Sequence, residues 1–166
     1  MIISNMLKKY EGFINNLIVV LMSILIIDVF IQVLGRYVPF IPNFLWTMEL
    51  ANFLLIWIVF FGSIIGVARG KHFFIDLFSS RTSLLLNTFL KTVYYTVMLV
   101  VSFVFIFYGY KFVLMGWKQS SMVLDINLGI IHIVVPITGI SWLMFLLNDL
   151  YSACFKTTKG DNLYEY

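Results

Sequence analysis

The stretch WTMELANFLLIWIVFFGSIIGVARGKHFFIDLF, Trp46 to Phe78, decides the class of the protein. Glu49 stands immediately before nineteen uncharged residues, Leu50 to Ala68, and the run ends at Arg69-Gly70-Lys71-His72. A helix needs about 20 predominantly apolar residues to cross a bilayer, and this segment has that length with charges only at its ends. Three further intervals match it: Glu11 to Arg36, interrupted only by Asp28, then Lys91 to Lys111, then Asp125 to Asp149. The whole chain is 61% hydrophobic and 11% charged, which makes the bilayer its solvent.

A transmembrane barrel would require strictly alternating segments of about 10 residues, whereas these runs are continuous. The expectation is an all-α integral membrane protein with spans near residues 13–35, 46–68, 90–111 and 129–151, and a polar tail over 152–166. Lys8-Lys9 before the apolar stretch Leu17 to Ile27 resembles a signal peptide. The absence of a small-residue cleavage site points to a retained first span. Between spans two and three, Phe73, Phe74, Leu77 and Phe78 recur at helical spacing with Asp76 opposite, which predicts a short amphipathic segment at the inner interface.

Charge placement orients the bundle. Lys8, Lys9, Arg69, Lys71, Arg81, Lys91, Lys156 and Lys159 fall on one side of a four-span arrangement, and only Arg36, Lys111 and Lys118 on the other. Positive residues concentrate on the cytoplasmic side of membrane proteins, so both termini are expected there. Trp46, Tyr108, Tyr110 and Trp117 then mark the outer boundary, and Tyr10, Tyr94, Tyr95 and Tyr151 the inner one. The basic residues already orient spans, which argues against nucleic acid as a partner. Cys154 is the single cysteine, so there is no intrachain disulfide or thiolate cluster.

Asp28, Gln32 and Arg36 recur every four residues and form a polar seam along the first helix. An aspartate inside a span must face protein or water. Two readings stand: a proton- or cation-coupling carboxylate, and a structural anchor to Arg36, a neighbouring helix or a partner subunit. Glu49 has two readings as well. With Asn52 one turn on, it suits the positive end of the helix dipole, and Arg36 across the boundary is a candidate ion-pair partner. Gly62, Gly66 and Gly70 leave a stripe free of side chains where another helix can approach.

Pro136 cannot donate to the His132 carbonyl, and Thr138 and Ser141 are candidates to repair that gap. His72 and His132 belong to opposite boundaries, which disfavours a shared haem. No nucleophile–base set, phosphate-binding Gly-Lys-Ser motif, histidine metal cluster or cysteine pair is present, so no catalytic residue, metal site or cofactor is expected in the chain.

Taken together, Arg36-Tyr37, Trp46 with Glu49, Trp57, Gly62, Arg69-Gly70, His72 and Asp76 resemble the small membrane subunit of the tripartite ATP-independent periplasmic (TRAP) transporters, the DctQ-like subunit. The resemblance continues through Ser120 to Pro136 and spans roughly residues 10 to 152. Asp28 is outside the pattern. The resemblance implies an accessory scaffold in the bacterial inner membrane, bound to a large multi-spanning subunit that holds the substrate and sodium sites. It also implies a periplasmic substrate-binding protein and sodium-driven uptake of an organic acid, of C4-dicarboxylate or sialic acid type.

On that reading Asp28, Gln32, Arg36, Trp46, Glu49, Asn52, Trp57, Gly62 and Gly66 are structural or subunit-interface candidates. Arg69, Lys71, His72 and Asp76 anchor the inner interface among phospholipid headgroups, and Lys118 is a candidate contact for the binding protein. Two other classes stay open. One is a self-dimerising small proton-coupled transporter that uses Asp28; the other is a membrane anchor for a redox enzyme.

Overall fold

The structure, a computed structural model, describes residues 2–38, 44–78 and 84–160, with side chains over 6–38, 44–69, 89–90 and 92–150. The elements in order are α1 (Ile2–Tyr37), α2 (Leu45–Phe78), α3 (Leu84–Gly116), α4 (Leu128–His132) and α5 (Val134–Gly160). Four stretches are long and apolar enough to span a membrane: Met6–Tyr37, Leu45–Arg69, Thr92–Gly116 and Leu128–Leu150. Helices are the solution that such sequences dictate, because each backbone N–H and C=O finds its partner within the segment where no water is available.

The amphipathic segment expected over 72–78 is a helical continuation of α2, which runs unbroken to Phe78. The side chains of Lys71, His72 and Asp76 lie outside the described residues, as do the connection carrying Pro39 and Pro42 and residues 161–166 of the polar tail. The part of that tail from 152 to 160 continues α5 as helix.

The helices form two antiparallel pairs, α1 along α2 and α3 along α5, joined where α2 meets α5. Leu7 and Ile14 of α1, Phe61 and Ile64 of α2, and Val134 and Phe145 of α5 make one buried core, and Phe105 stacks on Trp142 with ring centres 5.3 Å apart. Burial is uneven. Only 6% of the most apolar window of α1 is buried, against 39% for the last span, so α1 is the peripheral helix.

Polar contacts help fasten α1. Near its first turns the Tyr10 hydroxyl meets Ser141 Oγ of α5 at 2.7 Å and Arg69 Nε of α2 donates to Glu11 Oε1 at 2.8 Å. Toward its other end Gln32 Nε2 donates to the Thr47 carbonyl at 3.0 Å.

Four glycines set the close approach within the α3–α5 half. A Cβ on Gly139 would lie 2.9 Å from Phe105 Cβ and 3.0 Å from the Ser102 carbonyl oxygen, and one on Gly109 would lie 3.0 Å from the Pro136 ring. A Cβ on Gly116 would meet His132 and the backbone of α4, and one on Gly129 would meet the Trp117 ring. The stripe read from the sequence behaves differently. Gly62 and Gly66 have nothing within 4 Å of an added Cβ, so among the described residues no other helix packs on the stripe at these two positions. The close packing lies instead where side chains and backbone of the facing element leave no room for a side chain.

Pro136 leaves its mark two to three residues upstream, where helix gives way to a turn at Ile133 between α4 and α5. Thr138 Oγ1 donates to the Val134 carbonyl and Ser141 Oγ to the Ile137 carbonyl, both at 2.8 Å. These hydroxyls therefore serve their own preceding turns, and the proposed repair of the His132 carbonyl is corrected.

Candidate functional site

The most elaborate polar construction lies at the end of the bundle that carries the α3–α4 connection. Residues 117–127 fold into a small hairpin rather than an open loop. Ser121 N donates to the Ile126 carbonyl at 2.9 Å and Leu128 N to the Gln119 carbonyl at 3.0 Å, and Ser120 bridges Asn127 in antiparallel fashion. Asp125 takes a left-handed backbone with φ 50°, a conformation aspartate tolerates better than most residues. Asn127 then caps α4, its Oδ1 accepting from Gly129 N at 2.8 Å, while its Nδ2 donates to the Trp117 carbonyl at 3.0 Å.

Glu49, in the first turns of α2, closes this hairpin from outside. Its Oε2 accepts from Ser121 Oγ at 2.7 Å and Leu124 N at 3.0 Å, its Oε1 from Met122 N at 3.1 Å, and Val123 N reaches both oxygens at 3.2 and 3.3 Å. Consecutive backbone N–H groups converging on one anion form a nest, and charge-assisted bonds of this kind are the stronger class. Glu49 is therefore a tether between α2 and the hairpin. The expected ion pair with Arg36 is corrected: the carboxylate is occupied by the hairpin, and Arg36 is exposed with no ion-pair partner among the described residues.

The hairpin was the element that sequence reasoning missed. Ser120-Ser121 and Asp125 with Asn127 are turn-forming residues that mark a compact reversal, but nothing in their spacing points to a carboxylate 72 positions earlier. What the tether displays is an exposed tip, with Met122 98% and Val123 48% accessible. Lys118 is exposed beside it.

The seam on α1 is partly assembled. Asp28 is 3% exposed and its Oδ2 accepts from Gln32 Nε2 at 3.0 Å. The same amide donates to the Thr47 carbonyl, so Gln32 bridges α1 and α2. Asp28 Oδ1 is buried without a hydrogen-bond partner. Arg36 stands apart from this pair, on the lip of a cleft of about 390 Å³ that also involves Val29, Gln32, Phe44, Thr47 and Met48. Thr47 itself is buried and its Oγ1 donates to the Phe44 carbonyl at 2.7 Å.

The remaining candidates divide by exposure. Trp57 packs edge-on against Phe61 with centroids 5.6 Å apart, a core role, and Trp46 meets Phe44 at 6.0 Å. Asn52 is exposed on α2 and has no hydrogen bond among the described residues. Arg69 pairs with Glu11. His132 lies flat on Phe112 with centroids 3.8 Å apart, its Nδ1 buried and unpartnered.

The exposed positions of α2 follow a rule. Met48, Asn52, Leu55, Val59, Gly62, Gly66 and Arg69 are all exposed, separated alternately by four and three residues. That is the seam by which one helix packs along another at a shallow angle. Among the described residues nothing occupies it at Gly62 or Gly66.

Comparison with known proteins accounts for this four-span frame. No curated protein matches the chain closely enough to count as a relative. The family described as "Tripartite ATP-independent periplasmic transporters, DctQ component" matches residues 18–155, from early in the first span to beyond the last. The chain is thus a multi-pass membrane protein, and it belongs to the DctQ component family of the tripartite ATP-independent periplasmic transporters.

Proposed function

We propose that the chain is the accessory scaffold subunit of a TRAP transporter. It holds the stationary part of a large membrane subunit during sodium-driven, binding-protein-dependent uptake of an organic acid of C4-dicarboxylate or sialic acid type. The observation that carries the reading is the family match over all four spans. Sodium and substrate are assigned to the large subunit. Both termini lie in the cytoplasm of a bacterial inner membrane, on the side where eight of eleven basic residues fall.

Two features of the molecule support the assignment. The exposed α2 seam combines a polar Asn52 with the bare Gly62 and Gly66, which suits close approach by another helix better than by lipid tails. At the outer end, the Glu49-tethered hairpin presents Met122 and Lys118 in one fixed arrangement, suited to contact with the periplasmic binding protein.

The test is gentle extraction of the tagged chain from its native membrane, mass spectrometry of what accompanies it, and transport in proteoliposomes. A stoichiometric large multi-spanning partner, with sodium-dependent uptake only when that partner and a binding protein are present, is the expected result. Recovery solely as a self-dimer, with transport by the chain alone that Asp28→Asn abolishes, would overturn it in favour of a small proton-coupled carrier. Charge reversal at Lys118 is expected to weaken docking of the binding protein, and unchanged docking removes Lys118 from that surface.

A further inference from the structure

A second surface, on the α3–α5 face, has a different chemistry from the α2 seam. A groove of about 450 Å³ runs along α3 from Val104 to Met115, with Phe105, Phe112 and Val135 of α5 among its walls. Gly109 is among its lining residues, and beside it the Pro136 ring comes within 3.0 Å of where a Cβ would stand. The lining is apolar apart from Lys111 and Tyr108 near the loop end, where the Lys111 ammonium lies 5.6 Å from the Tyr108 ring centre. Lys111 has no carboxylate partner among the described residues.

From Val104 to Lys111 the helix rises seven steps of 1.5 Å, about 10 Å of apolar wall below the lysine, which lies within the roughly 15 Å of hydrocarbon in one leaflet. The lysine stem can lie along the apolar wall and carry its ammonium outward to the headgroups. A partner helix laid in this groove would cover that cation and would have to supply an acid. A phospholipid supplies a phosphate at the level of the ammonium while keeping it at the water interface.

We propose that this groove binds one anionic phospholipid from the leaflet on the hairpin side, its phosphate on Lys111 and its acyl chain along the wall from there inward to Val104. Tyr108 holds the ammonium in place from the ring face. The site does not depend on the transporter assignment, since it uses only residues of this chain.

Native mass spectrometry of the full chain, released from nanodiscs containing phosphatidylglycerol and phosphatidylcholine in equal amounts, reads the site directly. The wild-type chain is expected to retain one phosphatidylglycerol preferentially. Lys111→Gln, which keeps the stem and removes the charge, should lower that preference about fivefold, the worth of one lysine at an anionic surface. Val104→Trp, which fills the inner end of the trough, should reduce retention of both lipids with helicity and thermal midpoint unchanged.

Equal retention of phosphatidylglycerol by wild type and Lys111→Gln would overturn the headgroup assignment. In the assembled complex, efficient cross-linking of a cysteine at 104 to another polypeptide would overturn the site, by showing that a protein helix fills the groove.

Discussion

Glu49 and Ser121 are joined by a 2.7 Å hydrogen bond across 72 positions of sequence. That contact fixes the relation between two halves of the molecule that share little else at this end. The α1–α2 pair supplies the carboxylate, and the α3–α5 pair supplies the hairpin whose N–H groups receive it. A helix-dipole role alone would leave the acid free to rotate, whereas here both oxygens are committed.

The distinction is measurable with a near-isosteric change. Glu49→Gln keeps the size of the side chain but places an NH2 where one oxygen now faces N–H donors, so one side of the nest loses its acceptor. Both Glu49→Gln and Glu49→Ala should increase amide exchange at Met122, Val123 and Leu124 by roughly an order of magnitude, with helix cores unaffected. Wild-type protection in Glu49→Gln would show that the hairpin relies on neither the charge nor the second carboxylate oxygen, and would remove the nest as its tether.

Glycines that look alike in sequence should behave oppositely. Gly116→Ala pushes a methyl into His132 and to within 2.9 Å of Gly129 N. Backbone must move, and overpacking of that kind costs about 1–3 kcal/mol. Gly62→Ala and Gly66→Ala meet nothing within 4 Å and should leave the thermal midpoint of the isolated chain in detergent within a degree or two of wild type, about what a neutral surface change gives. Leucine at both positions should spare the isolated chain and reduce the yield of the complex with the large subunit, and undiminished yield would remove the α2 seam as an interface.

The spans were legible because a chain in lipid has few options: a continuous run of nineteen uncharged, mostly apolar residues between charges, as from Leu50 to Ala68, is a helix. The partners of polar groups were not. For Glu49 the sequence leaves two readings open, the helix dipole and an ion pair with Arg36, the nearest cation in the expected topology. The true partners are mostly backbone N–H groups, which carry no residue identity and so leave no trace in composition. Gly62, Gly66 and Gly70 form a visible motif, yet Gly109, Gly116, Gly129 and Gly139 do the packing in this chain, because what crowds a glycine is the residue opposite. Asp28 with Gln32 was legible, since a four-residue spacing places them on one face regardless of what surrounds them.

The contacts that fasten α1 should rank by burial. Glu11–Arg69 joins side chains 26% and 62% exposed, and exposed pairs contribute at most about 1 kcal/mol. Tyr10–Ser141 joins helices that otherwise touch little. Tyr10→Phe should lower stability by about 0.5–1.5 kcal/mol, and Ser141 keeps its bond to the Ile137 carbonyl. Glu11→Gln should cost less and lose its effect at high salt. Unfolding midpoints of the two variants in detergent, at low and high salt, check both the order and the salt dependence.

Asp28 and Gln32 allow a sharper test, because their effects should not add. Among the described residues the Gln32 amide is the sole donor to a wild-type carboxyl group that is 3% exposed, and the other oxygen has none. Gln32→Leu therefore strips Asp28 of its donor, and an unsatisfied buried polar group costs about 1–3 kcal/mol. Asp28→Leu is milder for Gln32, whose amide keeps the Thr47 carbonyl. Removing both polar groups removes the desolvation problem itself, so the double variant should be more stable than Gln32→Leu alone. A double-mutant cycle of unfolding in detergent reads this as a coupling of opposite sign to simple additivity. Strict additivity would mean that Asp28 is satisfied by something other than Gln32, and an Asp28→Leu variant that folds but does not support uptake in the complete transporter would assign Asp28 a role in transport beyond its bond to Gln32.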